Sequence, residues 1–154
     1  MKIEHLAEHI AVIPTLASWL HNEWGHLSPN VTFDDLAARL EKQATRNKIP
    51  QTFVALEGET PVGTASLIEN DMSTQKELSP WLASVYVVPE FRNRGIGSKL
   101  VRVAIQEAKN LGTSRLYLLT PDKIKFYSNL GWRILGCAEY RGENVTIMWY
   151  NTEP

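Results

Sequence analysis

The chain has 154 residues, of which 44% are hydrophobic, and its formal net charge at pH 7 is −1. That size suits one well-packed core, so we expect residues 1–154 to form a single domain. Basic and acidic residues are balanced at 16 and 17, without the excess of positive charge that is typical of proteins bound to nucleic acid or membrane surfaces. We therefore expect no nucleic acid and no membrane among the partners.

The distribution of cysteine and of apolar residues bears on the cellular compartment. Cys137 is the only cysteine, so no intrachain disulfide can form, and a cytoplasmic location is expected. We expect Cys137 to be a small buried residue of a strand. The first ten residues contain charged and histidine side chains where a signal peptide needs an apolar run, and no segment approaches the ~20 apolar residues of a membrane span.

Two helices are predicted in the first third of the chain. Apolar residues recur at helical spacing over 13–24, and Pro14 lies in the first turn, where proline is tolerated. A second apolar face runs over 33–40. Thr32 and Asp35 form the sequence pattern of a capping box at its start.

Strands are predicted in the middle of the chain. Residues 52–56 and 62–68 flank the turn 57–60 and predict a hairpin. A polar loop over 69–79 follows the hairpin, and residues 81–88 predict a third strand.

A long amphipathic helix comes next, with an apolar stripe from Gly97 to Leu111 and a stop at Gly112. The remaining predicted elements are a strand over 115–119, a short helix over 122–130, and a hairpin of strands 132–140 and 144–150. This order predicts an α/β fold of the α+β type, a mixed sheet covered by helices. Only the two strands that flank the long helix must be parallel.

The segment 85–98 runs an apolar strand into a basic turn that leads directly into the long helix. Gly95 and Gly97 lack a Cβ that would hold a ligand away from the backbone. The first turn of the helix offers unpaired N–H groups, and Arg92 and Arg94 add positive charge. The segment therefore predicts a binding site for a pyrophosphate.

Two common kinds of phosphate loop do not fit this segment. The loop of nucleoside-triphosphate-binding proteins needs a glycine five residues before Gly97, where Arg92 stands. The dinucleotide fingerprint needs a third glycine at the position of Leu100, and it belongs to an N-terminal strand-helix-strand unit that this chain lacks. What remains is the pattern Arg-x-x-Gly-x-Gly after a strand.

The segment 87–97, Val-Val-Pro-Glu-Phe-Arg-Asn-Arg-Gly-Ile-Gly, resembles the acetyl-CoA signature of the GNAT superfamily of N-acetyltransferases. The segment 126–132, Phe-Tyr-Ser-Asn-Leu-Gly-Trp, resembles a later motif of that superfamily. Two motifs in the right order on the right elements are far more specific than either alone. The segment 78–83 further resembles a branch of small bacterial members.

This resemblance implies the GNAT acyl-CoA N-acyltransferase fold, with a mostly antiparallel sheet, a splayed parallel strand pair and helices on both faces. It also implies acetyl-CoA as co-substrate, in the gap between the splayed strands. The backbone of Val85, Tyr86 and Val87 would pair with the pantetheine arm. The pyrophosphate would be bound by the residues of the turn and first helical turn, which are Arg92, Asn93, Arg94, Gly95, Ile96, Gly97 and Ser98. Thr120 stands where many relatives carry an asparagine that touches the cofactor arm.

Tyr127 matches the tyrosine of the family that donates a proton to the departing CoA sulfur, and it would also contact the cofactor. The amine makes the larger chemical demand. Deprotonating a lysine-like amine of pKa ~10.4 at pH 7 costs roughly 4–5 kcal/mol, whereas protonating a thiolate of pKa ~8.5 gains only about 2 kcal/mol. Glu69 is the first candidate for the general base, and Asp71 and Glu23 are the others.

The amine acceptor is expected near Glu23, Trp24, Asp71 and Trp81. The two tryptophans could wall the acceptor pocket or pack in the core, and the sequence leaves both alternatives open.

The sequence thus predicts a cytoplasmic, acetyl-CoA-dependent N-acetyltransferase without a metal. It would transfer an acetyl group to a primary amine of a small molecule or a protein N-terminus, by direct attack in a ternary complex, as a monomer or homodimer. One alternative is a non-catalytic module that binds or senses acyl-CoA. A remote alternative is a zinc hydrolase, because His5, Glu8 and His9 spell the signature of inverted zinc proteases.

Overall fold

The computed structural model describes residues 1–153. Its strands are β1 (Lys2–His5), β2 (Gln51–Glu57), β3 (Thr60–Ile68), β4 (Trp81–Val87), β5 (Arg115–Thr120), β6 (Arg133–Tyr140) and β7 (Glu143–Asn151). Its α-helices are α1 (Ile13–Trp24), α2 (Phe33–Lys42), α3 (Ile96–Asn110) and α4 (Ile124–Asn129). Short 3-10 turns lie at Leu6–Glu8, Ile10–Val12, Gly25–Leu27 and Pro89–Phe91.

The strands of residues 1–153 form one mixed sheet of order β1-β2-β3-β4-β5-β7-β6. Every neighbouring pair is antiparallel except β4 and β5, so the predicted fold class and its parallel pair are confirmed. Within these residues β4 and β5 meet at the single bridge Trp81–Tyr117. The two strands therefore part toward their carboxyl ends.

Helices cover both faces of the sheet. Alternate residues of β2 pack in the two hydrophobic cores on either side. Phe53 and Ala55 belong to the core that α3 covers, whereas Val54 and Leu56 belong to the core under α1 and α2. Successive strand residues point to opposite faces, so the continuously buried β2 contributes to both cores.

The start of α2 confirms the predicted capping box. The Asp35 backbone N–H donates to Thr32 Oγ1 at 3.1 Å, and the Thr32 N–H donates to Asp35 Oδ2 at 2.9 Å. These hydrogen bonds lower the pKa of Asp35. Phe33, predicted on the apolar face, is instead 38% exposed, and the buried residue of α2 is Leu40, near the other end of the helix.

Two expectations for the carboxyl-terminal part are wrong in detail. Cys137 is exposed rather than buried, because β6 is the edge strand and its neighbours Ile134 and Leu135 are exposed as well. Helix α4 begins at Ile124 rather than at residue 122.

None of the α-helices within residues 1–153 is both long enough and apolar enough to cross a bilayer.

Candidate active site

The turn between β4 and α3 is held by its own arginines. Arg92 Nε donates to the carbonyl oxygen of Val87 at 2.8 Å, and the Arg92 guanidinium lies 5.4 Å from the centre of the Tyr86 ring. The Arg94 guanidinium stacks on Phe91 at 4.7 Å. Both arginines remain exposed, so two positive charges stand beside the first turn of α3.

Gly95 is the N-cap residue of α3 and has φ +80°, a conformation that favours glycine. No side chain caps this end of the helix, so its first N–H groups have no side-chain acceptor. A Cβ added to Gly97 would lie 3.5 Å from the Phe126 ring, which places α4 against the start of α3. The free amides, the positive end of the helix dipole and the two arginines are features that favour the binding of an anion.

The gap between β4 and β5 extends from this turn toward Trp81. Beyond the Trp81–Tyr117 bridge, the edge of β4 that faces β5 has no strand partner. The register of β4 against β3 also shifts at this point, and Ser84 adopts φ +56° there. A bulge of this kind locally disrupts a sheet. Within residues 1–153, the backbone of Val85, Tyr86 and Val87 has no strand partner on the side of β5, and the Val87 carbonyl oxygen accepts the hydrogen bond from Arg92.

Tyr127 lies on α4, next to Phe126, and is buried. Its ring packs edge-on against Phe126 at 4.9 Å and Trp132 at 6.0 Å. Burial, with a smaller contribution from the charge of Asp122, raises the pKa of Tyr127 to about 12. The phenol therefore keeps its proton throughout the physiological range.

Thr120 ends β5, and its side chain is buried. Its hydroxyl oxygen accepts hydrogen bonds from the backbone N–H groups of Lys123 at 3.0 Å and Asp122 at 3.4 Å. This side chain shapes the turn into α4 and so determines where Tyr127 stands.

The candidate bases on the loop after β3 have different environments. Glu69 is exposed, and its carboxylate accepts a hydrogen bond from the Ser79 hydroxyl at 3.2 Å. Asp71 is half-buried as a residue, and burial of its carboxyl raises its pKa to about 6, although the nearby Arg141 charge acts in the opposite direction. The neighbouring Met72 is fully buried in one cluster with Trp81 and Tyr117. Asp71 therefore lies close to the point where β4 and β5 begin to part.

The two candidate tryptophans differ in burial and in the residues that they contact. Trp81 is fully buried and donates from Nε1 to the Leu78 carbonyl oxygen at 2.7 Å, which favours the core-packing alternative. Trp24 is half-buried and lies edge-on to Tyr86, 6.3 Å between ring centres. Glu23 is exposed at the end of α1. Trp19, which sequence reasoning missed, also packs on Tyr86, at 5.4 Å.

Three loops meet beside Asp71 in what we call the loop cluster, formed by Ser28, Asp71, Ser73, Tyr140 and Arg141. The Arg141 guanidinium donates to the Ser28 hydroxyl, and the Ser73 backbone N–H donates to the Tyr140 phenol oxygen at 3.3 Å. Except for Asp71, sequence reasoning missed these residues. No local pattern could have signalled them, since Arg141 and Ser28 are 113 positions apart.

His5 and His9, the histidines of the remote zinc alternative, have different surroundings. The His5 ring packs on Phe53 at 5.4 Å, whereas His9 Nε2 lies 2.8 Å from Glu4 Oε1. Within residues 1–153 the groups that come together are Glu4, Glu8 and His9, because the chain leaves β1 through a 3-10 turn rather than an α-helix. Glu8 also pairs with Arg46.

Two curated relatives align with parts of the chain. One is N-alpha-acetyltransferase 30 of Schizosaccharomyces pombe, 29% identical over 85 residues, which cover 53% of this chain and 56% of that protein. The other is thialysine N-epsilon-acetyltransferase of Bos taurus, 38% identical over 71 residues, which cover 44% of this chain and 42% of that protein. The chain thus spans about half the length of these relatives or less.

The fold has a close counterpart among solved structures. An aminoglycoside 6'-N-acetyltransferase complexed with coenzyme A superposes with a TM-score of 0.76 at 19% identity, over 100% of this chain and 98% of that one. The model of the acetyltransferase (GNAT) family matches residues 13–132, which include the β4–α3 turn and the Tyr127 motif. The chain therefore belongs to the GNAT family of acetyltransferases.

Proposed function

We propose that the protein transfers the acetyl group of acetyl-CoA to a primary amine, of a small molecule or a protein N-terminus, by direct attack within a ternary complex. The observation that carries this proposal is the parting of β4 from β5, together with the first turn of α3, which follows β4 and has no side-chain cap. Both curated relatives are named for transfer to an amine. A cytoplasmic location and a monomeric or homodimeric state stay predictions.

The residues present fit acetyl-CoA, which supplies an acetyl group activated as a thioester. The open space above Gly95 and the free amides at the start of α3 suit the pyrophosphate, with Arg92 and Arg94 beside it. The unpaired edge of β4 at residues 85–87 suits the amide-containing pantetheine arm, since it offers hydrogen-bonding backbone groups.

Asp71 is the base that the structure supports best. The ordinary pKa of an aspartate is about two units below the pKa of about 6 at Asp71. Proton transfer from an ammonium group to Asp71 is therefore easier than to an ordinary aspartate by roughly 3 kcal/mol. At pH 7 the Asp71 carboxylate is still ionised and can accept that proton. Glu69 stays a prediction and is its direct competitor.

Tyr127 acts on the departing sulfur. A phenol of pKa about 12 transfers its proton to a thiolate of pKa ~8.5 only at a cost of roughly 5 kcal/mol. We therefore infer that Tyr127 keeps its proton and stabilises the departing thiolate by donating a hydrogen bond, and that the thiolate takes its proton from water as CoA leaves.

Titration calorimetry with CoA tests the proposed binding site. Replacing Arg92 and Arg94 together with alanine should weaken CoA binding about 10- to 100-fold, because the two exposed, charge-assisted contacts together contribute roughly 1.5–3 kcal/mol. The matched control is Arg102→Ala, an exposed arginine further along α3, which should leave the affinity unchanged. Undiminished binding in the double variant would show that the pyrophosphate lies elsewhere.

Thiol release measured with a broad panel of amines and N-terminal peptides separates an enzyme from a sensor. We expect release that depends on the amine. Tight CoA binding without release from any amine in the panel contradicts the proposed reaction and favours the acyl-CoA-sensing alternative.

A further inference from the structure

The loop cluster presents two opposite charges that do not neutralise each other. The Arg141 charge acts on Asp71, but within residues 1–153 no carboxylate oxygen lies within 4.0 Å of the Arg141 guanidinium. Arg141 is exposed, and its polar partners, the Ser28 hydroxyl and the Tyr140 phenol, are neutral. An acidic and a basic group thus stand near each other at the parting of β4 and β5 without direct contact.

The backbone conformation at Arg141 is unfavourable for an arginine. Arg141 and Gly142 form the turn between β6 and β7 with φ +53° and +81°, a left-handed pair for which asparagine followed by glycine is the favoured sequence. A long side chain at the first of these positions is conformationally disfavoured. What an arginine provides there, and an asparagine does not, is a guanidinium that reaches across to the other two loops.

The surroundings hold this guanidinium over the cluster. It lies 5.1 Å from the centre of the Tyr140 ring. Burial alone would raise the pKa of Tyr140, but hydrogen bonds from Ser73 and Arg141 outweigh it and the pKa is lowered. The remaining nearby charge, Glu143, is directed at His26, with Oε1 and Nε2 3.9 Å apart. Arg141 therefore keeps N–H donors for a ligand.

We propose that the acceptor carries a carboxylate beside its reactive amine, so that Asp71 receives the amine and Arg141 binds the carboxylate. This substrate class, an amino acid or an acceptor with the same two groups, rests on the proposed acetyl transfer and narrows it. Guanidinium and carboxylate match as a planar, two-point pair, which gives orientation as well as affinity. Such a pair would hold the nitrogen of the acceptor at a defined place next to the parted strands.

Pairs of acceptors that differ only at the carboxylate test the proposed substrate class. Amino acids of increasing length, from glycine to aminohexanoate, are each compared with their own carboxamide by thiol release with acetyl-CoA. The amine of a carboxamide is less basic and more often neutral, so intrinsic reactivity favours the carboxamide. We expect the enzyme to reverse this order and to prefer at least one carboxylate by about 10- to 100-fold in kcat/KM, the range of a charged hydrogen bond.

Arg141→Asn is the decisive variant, because asparagine suits the left-handed turn and removes the charge. It should lower kcat/KM for the preferred carboxylate by about 10- to 100-fold, mainly through KM, and lower that for the carboxamide far less, because the neutral amide forms no ion pair with Arg141. Arg141→Lys should keep part of the preference. Both variants should match the wild type in thermal unfolding and in CoA binding.

The outcomes separate the two proposals. If CoA binds but no amine causes thiol release, the proposed acetyl transfer is wrong, and the proposed acceptor class is then wrong as well. Transfer that does not distinguish carboxylates from carboxamides overturns the acceptor class alone. An equal loss of both acceptor kinds in Arg141→Asn also overturns it, since Arg141 would then only support the loop.

Discussion

Asp71 is the residue to which we assign the proposed proton transfer, because of its position and its raised pKa. It lies on the loop after β3, beside the parting of β4 and β5, and burial raises its pKa to about 6. Burial disfavours the charged form, so the same environment that makes the group a better proton acceptor also makes it sensitive to pH near neutrality.

The pH dependence of turnover should therefore follow Asp71. Since only the ionised carboxylate accepts a proton, we expect kcat/KM to fall as the pH is lowered through about 6. Asp71→Asn should lower turnover about 100-fold or more and remove this acidic limb, whereas Glu69→Gln should retain it. Steady-state rates between pH 5 and 8 measure both. Loss of the limb in Glu69→Gln instead would assign the base to Glu69.

Tyr127 is predicted to act on the leaving group and not on binding. Tyr127→Phe keeps the aromatic ring that packs on Phe126 and Trp132, and removes the hydroxyl. We expect kcat to fall roughly 10- to 100-fold with little change in CoA affinity by calorimetry, since one neutral hydrogen-bond donor to a developing charge is lost. Because its pKa is about 12, Tyr127 should contribute no titration below pH 10. Unchanged turnover would remove Tyr127 from the mechanism.

At the level of elements, the site depends on how closely α3 approaches the sheet. Gly63 on β3 lies under α3, where an added Cβ would be 3.0 Å from the Tyr86 carbonyl oxygen and 3.1 Å from Leu100 Cδ1. Neither the β4 backbone nor the buried Leu100 can move away without disturbing the start of the gap. This close approach fixes the position of the start of α3 relative to β4.

Gly63→Ala should accordingly destabilise the fold. Overpacking of a tight interior site costs typically about 1–3 kcal/mol, and each kcal/mol lowers the Tm of a chain of this size by roughly 2–4 °C. Gly136→Ala on the exposed edge strand β6 is the matched control, because its added Cβ meets no atom within 4 Å and its backbone is not left-handed. Differential scanning calorimetry compares the two. Equal stability of both variants would mean that α3 shifts freely over β3.

At the level of the whole molecule, the partly buried Asp71 carboxylate lowers the free energy of unfolding above pH 6. The pKa of Asp71 is raised above its ordinary value of 3.8, so the folded state binds the proton more tightly than the unfolded state. The stabilising contribution of that proton is fully present below pH 3.8 and is lost as the pH rises through about 6. Above that pH an ionised carboxylate is held in a partly buried place.

Asp71→Asn should thus stabilise the protein at high pH only. We expect its free energy of unfolding at pH 8 to exceed that of the wild type by roughly 1–2 kcal/mol, less than the full two-unit shift because the residue is partly exposed. The difference should shrink as the pH is lowered from 6 toward 4. Denaturant unfolding at several pH values measures it. A difference that is independent of pH would indicate that the Asp71 carboxylate is solvated in the folded state.

Much of this molecule could be anticipated from local patterns. Hydrophobic periodicity predicted α1, α2 and α3, and the pair Thr32 and Asp35 marked the start of α2, because both signals depend on residues within a few positions of each other. The strand-turn-helix order over 85–98 was likewise predicted and is present, since its residues come from one continuous segment, whereas the anion site there stays a prediction.

The family signature and the element order were thus contained in the sequence, and so was the single parallel pair, which the crossover through α3 requires. Tertiary structure alone decided the rest. It exposed Cys137 on an edge strand, buried Trp81 and brought Arg141 to Ser28 across 113 positions. The physical reason is that burial, pKa and long-range contacts are set by which elements pack together. The acceptor site that we propose is assembled from three loops, and these loops come together only in the folded chain.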